Sequence, residues 1–331
     1  MDLSTSYLGF ELPHPLVPGA SPLAEDLDTV RRLEDAGAPM LVMHSLFEEQ
    51  IVREELSLTQ TIETPKESYA EALSYFPDPD EFVLGPDEYL EQVRKVKAAV
   101  SVPVVGSLNG TTEGGWLQYA RLIEQAGADG LELNLYDVCT RLDEPGDAVE
   151  RRQVHIVRTV TEAVGIPVAV KLSPFYTSIA HVAGQLEAAG AAALILFNRF
   201  YEPDIDVEHL DVLPSTVLSN PGELRLRLRW IGVLAGRIAA SLAITGGVHT
   251  ALEAIKAIMV GAHAVQMVSA LLQHGPAYLT TVQADLARWL EAHEYDALRQ
   301  MQGSMSMLRS GSPMAYERGN YLKLLHSWSV A

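Results

Sequence analysis

The chain has a single cysteine, Cys139, among its 331 residues. No internal disulfide can form, and no CxxC redox or metal pair is available. Basic residues are scarce as well: 24 lysines and arginines face 43 acids, a formal net charge of -19. A polyanion would be repelled by such a surface, so nucleic acid is excluded as a partner, whereas a small anion can still be held by local positive groups. No apolar run reaches the roughly 18 residues of a membrane span. The opening residues, MDLSTSYLGFELPHP, show no basic segment with an apolar run behind it. The expectation is a soluble, cytoplasmic protein with no membrane segment. A GxGxxG after the first apolar strand is also missing, which counts against a doubly wound dinucleotide-binding sheet.

What is present is a repeated punctuation. Four times a helix end is followed by Gly-Ala and then by an apolar strand: DAGAP before 40–43, QAGAD before 130–134, AAGAA before 193–197 and MVGAH before 264–267. SVPVVGS (101–107) and GIPVAVKLS (165–173) enter strands through proline, whose missing N–H is tolerated at a strand's first residue. Adding 16–18 and 242–245 makes eight short strands. Helical runs alternate with them, at 25–36, 86–100, 113–126, 149–164, 178–189, 223–240 and 250–259, and two more are predicted in 276–307. Eight such units predict one α/β domain over 1–331, a (β/α)8 TIM barrel. Rim insertions are expected at 44–85 and 198–222, and a C-terminal extension at 292–331. The acids at 78–88 read as a solvated face rather than a metal site.

Barrel chemistry gathers at the C-terminal ends of the strands. There the sequence places Ala20 and Ser21, His44, Asn109, Asn134, Lys171, Asn198 and Arg199, Gly246 and Gly247, and Ser269. Lys171 sits inside the apolar strand VAVKLS, where an amine is costly unless it meets an anion or acceptor. The three asparagines offer both donors and acceptors, as a heterocycle edge requires. AITGGV and AVQMVSAL put free backbone N–H groups side by side at two neighbouring strand ends, an arrangement that holds a phosphate.

In these stretches the chain resembles the dihydroorotate dehydrogenase family of FMN-containing barrels, over roughly residues 8–290. PLVPGAS (15–21) is similar to the first-strand segment whose backbone, here Ala20 and Ser21, touches the flavin. GADGLELNL (127–135) and VAVKLSP (168–174) place Asn134 at the flavin and substrate asparagine and Lys171 at the lysine meeting flavin N1 and O2. LFNRF places Asn198 at a substrate asparagine. LSNPGELRLR resembles the loop whose glycine, here Gly222, lies near the flavin, and Asn109 falls among the cofactor-binding residues. The two glycine and serine turns, Gly246, Gly247 and Ser269, correspond to the phosphate site.

The resemblance implies FMN as cofactor and hydride transfer between flavin N5 and a small cyclic or unsaturated substrate. The loop after the fourth strand would remove the proton, and Tyr136, Asp137 and Cys139 stand there as alternatives beside Lys171. Several positions depart from the family pattern. Ser-Cys-Pro-Asn is replaced by Tyr136-Asp137-Val138-Cys139, the second-strand lysine by His44, and the lid loop ALSYFPDPDEF has no asparagine. Val268-Ser269 stands where Gly-Thr is usual. His44, Asn134, Asn198 and Arg199 remain as substrate-binding candidates, and poor turnover of dihydroorotate is expected. Other readings are dihydroorotate dehydrogenase proper in pyrimidine biosynthesis, a flavin-binding protein with little catalysis, and a phosphate-binding lyase or isomerase in which Lys171 forms a Schiff base. A homodimer through Phe200, Tyr201, Tyr316, Tyr321, Leu322, Leu325 and Trp328 is anticipated, with packing of the tail on its own barrel as the alternative. A separate electron-transfer partner could complete the system.

Overall fold

A computed structural model describes residues 1–47, 86–110, 113–200, 202–213, 217–317 and 321. Eight strands form the sheet: β3 (Leu16–Pro18), β4 (Leu41–Phe47), β5 (Val104–Asn109), β6 (Gly130–Asn134), β7 (Val168–Leu172), β8 (Ala193–Leu196), β11 (Ser241–Thr245) and β12 (Ala264–Met267). Their order is β3-β12-β11-β8-β7-β6-β5-β4, every hydrogen-bonded pair is parallel, and β3 lies against β4 at the seam. The sheet therefore curls into the (β/α)8 barrel expected from the sequence.

Helices α1 (Leu27–Asp35), α2 (Pro86–Ala99), α3 (Glu113–Gln125), α4 (Gly146–Thr161), α5 (Ile179–Ala188), α6 (Leu224–Leu234), α7 (Ala251–Val260) and α8 (Ser269–His274) follow the strands, and α9 (Tyr278–Ala292) and α10 (Leu298–Met301) close the described chain. The Gly-Ala punctuation has a plain cause. Gly261 ends α7 at φ 121, a conformation other residues resist, and Gly37, Gly127 and Gly190 do the same at other helix ends. At its start α7 carries a capping box: the Thr250 side chain accepts from the Leu252 N–H, and Glu253 reaches back to the Thr250 N–H at 2.9 Å. Two helices differ from expectation. The run over 223–240 stops at Leu234, because Gly236 turns the chain at φ 76. The run over 149–164 starts three residues earlier, behind Pro145, and ends at Thr161.

Strand alternation separates two cores. Val168, Val170 and Leu172 of β7 face the helices, as do Leu131 and Leu133 of β6. Ala169, Val17, Val42, Val105, Ala193, Ala243 and Ala264 face inward. Their small volumes leave space at the lower end, and a hairpin unforeseen in the sequence fills it. Strands β1 (Thr5–Tyr7) and β2 (Phe10–Leu12) pair antiparallel around Leu8 and Gly9, both at positive φ, and drive Tyr7, Leu8 and Leu12 into this core. Gly130 makes room for it, since a Cβ there would lie 3.2 Å from the Leu8 side chain.

The 198–222 insertion carries a second hairpin, β9 (Asp204–Asp206) with β10 (Asp211–Leu213), whose Ile205, Leu210 and Val212 are exposed. Of the 44–85 insertion only 44–47 are described, and they belong to β4. Tyr316 turns back on its own barrel: its ring covers Gly232 and its hydroxyl donates to the Met305 carbonyl. Tyr201, Leu322, Leu325 and Trp328 lie outside the described residues.

Candidate active site

Inside the barrel, alternation along β6 and β7 sends Glu132, Asn134 and Lys171 into the interior, and β12 adds Gln266. The Lys171 ammonium forms an ion pair with Glu132 Oε1, and Gln266 Nε2 donates to Glu132 Oε2 at 2.8 Å. All three are buried, Glu132 completely. A charge so far from water persists only when paired and hydrogen-bonded, and here each charge supplies the other's partner. The field of Glu132 reaches the phenols of Tyr7 and Tyr89. Burial is the larger cause of their raised pKa, and the nearby carboxylate adds to it.

Above this layer, Asn134 Nδ2 donates to Ser107 Oγ at 2.9 Å and to the Leu108 carbonyl at 3.2 Å, and Ser107 Oγ lies 2.8 Å from Ser45 Oγ. The β4–β5 ladder slips between Val42 and Ser45. Tyr89 of α2 accounts for the backbone groups at that slip. Its hydroxyl donates to the Ser107 carbonyl at 3.0 Å and accepts from the Ser107 N–H at 2.9 Å. His44 meets the same tyrosine edge-on, with centroids 4.9 Å apart. Burial lowers its pKa to about 4, so it is neutral near pH 7, and its Nδ1 is buried with no partner. Asn109, the last residue of β5, is in register with Asn134.

At the opposite wall, Gly246 and Gly247 turn at φ 85 and 79. Ser219 is the hub there: its hydroxyl accepts from the Gly247 N–H at 3.1 Å and lies 2.8 Å from Ser269 Oγ. The expected phosphate turns are thus brought together through a residue the sequence reading passed over. Behind them lies Arg227, buried, donating from Nε to the Thr245 carbonyl and from Nη1 to the Glu223 carbonyl at 2.8 Å. Its guanidinium occupies the space a Cβ on Gly246 would need, at 2.7 Å. Gly222 is exposed, and its N–H donates to Asn220 Oδ1 at 2.9 Å. Ser21 is buried and precedes the short helix at Pro22–Ala24, with Ala20 packed against the interior core.

The three candidates for proton removal sit on the loop after β6. Asp137 is bound to Arg152 at 2.6 Å, and Arg152 also pairs with Glu144. Cys139 is exposed, and partial burial with the Asp137 charge raises its thiol pKa. The Tyr136 ring stacks on Phe200 at 4.6 Å, and Phe175 meets Phe200 edge-on at 4.8 Å. Between this loop and helices α3 and α4 lies a pocket of about 190 Å³, lined by Gly110, Trp116, Tyr136, Asp137, Arg152 and Gln153 among others. After β8, the Asn198 N–H donates to the Leu172 carbonyl at 2.8 Å, and Asn198 Nδ2 is buried without a partner. Arg199 pairs with Glu223 at 2.9 Å. Glu132 and Gln266 could have been found by the reasoning used for Lys171, since each is polar within an apolar strand (GLELNL, AVQM). Nothing in the local sequence signals Ser219, Tyr89 or Arg227.

A parallel barrel with buried polar groups at its C-terminal mouth is the architecture of a barrel enzyme. The chain matches the dihydroorotate dehydrogenase family over residues 83–290, more than half its length, and belongs to that family. It is 27% identical over 312 residues to the dihydroorotate dehydrogenase B (NAD(+)) catalytic subunit of Thermoplasma acidophilum, covering 91% of this chain and 98% of that protein. It is also 33% identical over 200 residues to the protein of the same name from Desulforudis audaxviator, covering 58% of this chain and 64% of that one. The chain is a flavin-dependent oxidoreductase of the dihydroorotate dehydrogenase type, acting on CH–CH groups.

Proposed function

We propose that the protein binds FMN and moves a hydride between flavin N5 and a small cyclic or unsaturated substrate other than dihydroorotate. The observation that carries this reading is the buried Lys171–Glu132–Gln266 cluster beneath Asn134 and Asn198 in a closed barrel. The donor set suits a flavin. Lys171 is a fixed cation for the N1/O2 edge, where reduction builds negative charge. Above it, Asn198 Nδ2 is a buried donor with no partner among the described residues, left for the substrate. FMN, when bound, supplies the hydride-accepting centre. Its phosphate is assigned to Gly246, Gly247 and Ser269, now with Ser219 among them, and its ring and ribityl chain to Ala20, Ser21, Asn109, Asn134 and Gly222. Substrate contacts are assigned to His44, Asn134, Asn198 and Arg199. Proton removal belongs to the loop of Tyr136, Asp137 and Cys139.

Against dihydroorotate stands the loss of cationic and amide partners. His44 is neutral near pH 7 where the family pattern has a lysine, and Arg199 is already paired. A separate electron-transfer protein is proposed because the relatives are named catalytic subunits. A cytoplasmic location and a homodimer belong to the same reading. No helix among the described residues is long and apolar enough to cross a membrane. The test is purification followed by mass identification of the released ligand, with oxidised-flavin absorbance at about 370 and 450 nm expected. A colourless protein that takes up no added FMN overturns the reading.

A further inference from the structure

We infer that the substrate subsite takes an uncharged planar ring bearing a carbonyl group, and discriminates against the same ring carrying a carboxylate. This rests on the flavin oxidoreductase reading above and specifies its substrate class.

The first observation is the state of the cations around the mouth. Lys171 is paired with Glu132 and assigned above to the flavin edge. Arg199 is held by Glu223 at 2.9 Å, Arg152 by Asp137 and Glu144, and Arg141 by Asp143 at 2.8 Å. The loop after β7, 173–178, has no charged residue, and between 200 and 224 the chain has acids but neither lysine nor arginine. Among the described residues of the loops after β6, β7 and β8, every lysine and arginine side chain has an acid partner. A substrate carboxylate set against these three loops would have to displace one of these acids, or be held there without a counter-charge.

The second observation is what the same rim offers instead. Tyr136, Phe200 and Phe175 form a stacked and edge-on aromatic group, from the loops after β6, β8 and β7 respectively. Phe175 is 69% exposed, so a flat ring can add to the group. Two residues before Phe200, the Asn198 amide holds a buried N–H donor with no partner among the described residues. A buried donor left unsatisfied is costly, and a carbonyl oxygen relieves that cost without bringing charge. Together the described loops after β6, β7 and β8 supply a π surface, one amide donor and no lysine or arginine without an acid partner.

The experiment compares uracil with orotate, the same ring without and with a carboxylate, on the flavin-loaded full chain. Binding is read both from the flavin difference spectrum and by calorimetry, so turnover is not needed. Uracil is expected to bind at least tenfold more tightly than orotate. Glu223→Gln, which releases Arg199, is expected to tighten orotate at least fivefold while changing uracil less than twofold. Asn198→Ala is expected to weaken uracil at least tenfold. Orotate binding equal to or tighter than uracil, binding of neither ring, or no response of orotate to Glu223→Gln overturns the inference while leaving the flavin reading intact. A chain that holds no flavin overturns the flavin reading instead.

Discussion

Replacing Glu132 by leucine removes the only acid paired with Lys171 among the described residues and strands the ammonium inside the barrel. Breaking a buried ion pair from one side costs about 3–5 kcal/mol, because the remaining charge keeps its desolvation penalty and loses its compensation. Gln266 Nε2 loses its acceptor in the same change, and an orphaned buried amide adds about 1–3 kcal/mol. Partial relaxation will absorb some of that sum, so a destabilisation of at least about 3 kcal/mol is expected. The assay is urea denaturation followed by circular dichroism, comparing the parent, Glu132→Leu and Glu132→Leu/Lys171→Met. The double variant replaces both charges with apolar groups and should recover most of the loss, since a well-packed apolar replacement of a buried pair is often neutral or better. A single variant within about 1 kcal/mol of the parent, or a double variant no more stable than the single, would refute the account of the pair as mutually dependent.

Lys171→Met, which leaves Glu132 unpaired but is aimed at the cofactor, should lower FMN retention or slow flavin reduction far more than substitution of the exposed Arg31; equal affinity and equal reduction kinetics would remove Lys171 from the flavin edge. His44 titrates at about 4 in the folded chain against 6.5 for the unperturbed group. The unfolded chain therefore binds the extra proton, so stability is full above pH 6.5 and falls as pH drops toward 4, by about 2 kcal/mol at pH 5. Urea midpoints at pH 7.5 and 5 should show this loss, and His44→Phe should remove its share of it. Gly247→Ala places a methyl 2.7 Å from the Leu224 backbone nitrogen at φ 79, and should cost about 1–3 kcal/mol and weaken FMN binding; unchanged melting and FMN affinity would contradict the geometry. Dihydroorotate under anaerobic conditions should bleach the flavin slowly or not at all, and full bleaching within seconds at millimolar substrate would reverse that expectation.

The barrel was legible because its signals are local. A glycine that must close a helix and an apolar run that must enter the sheet fall next to each other, as at Gly261 and Ala264. Lys171, Asn134 and Asn198 were legible for a related reason, since polar groups at the ends of apolar strands need partners. The hairpin of 5–12 was not, because three-residue strands leave almost no periodic pattern. Nor was the slip in β4, whose cause is a tyrosine hydroxyl arriving from α2. Ser219 and Arg227 escaped for the same reason: each acts on the Gly246–Gly247 turn from a stretch that is distant in sequence. The Glu132–Lys171 pair shows the limit differently: Lys171 stood out in the sequence, Glu132 was passed over, and only the fold showed that each answers the other.

The plug formed by Tyr7, Leu8 and Leu12 has a bearing on traffic. With the lower end of the barrel stoppered by side chains, the interior communicates with solvent through the opposite rim. A small substrate would then come and go past the strand ends that carry Asn134 and Asn198, on the side away from the plug.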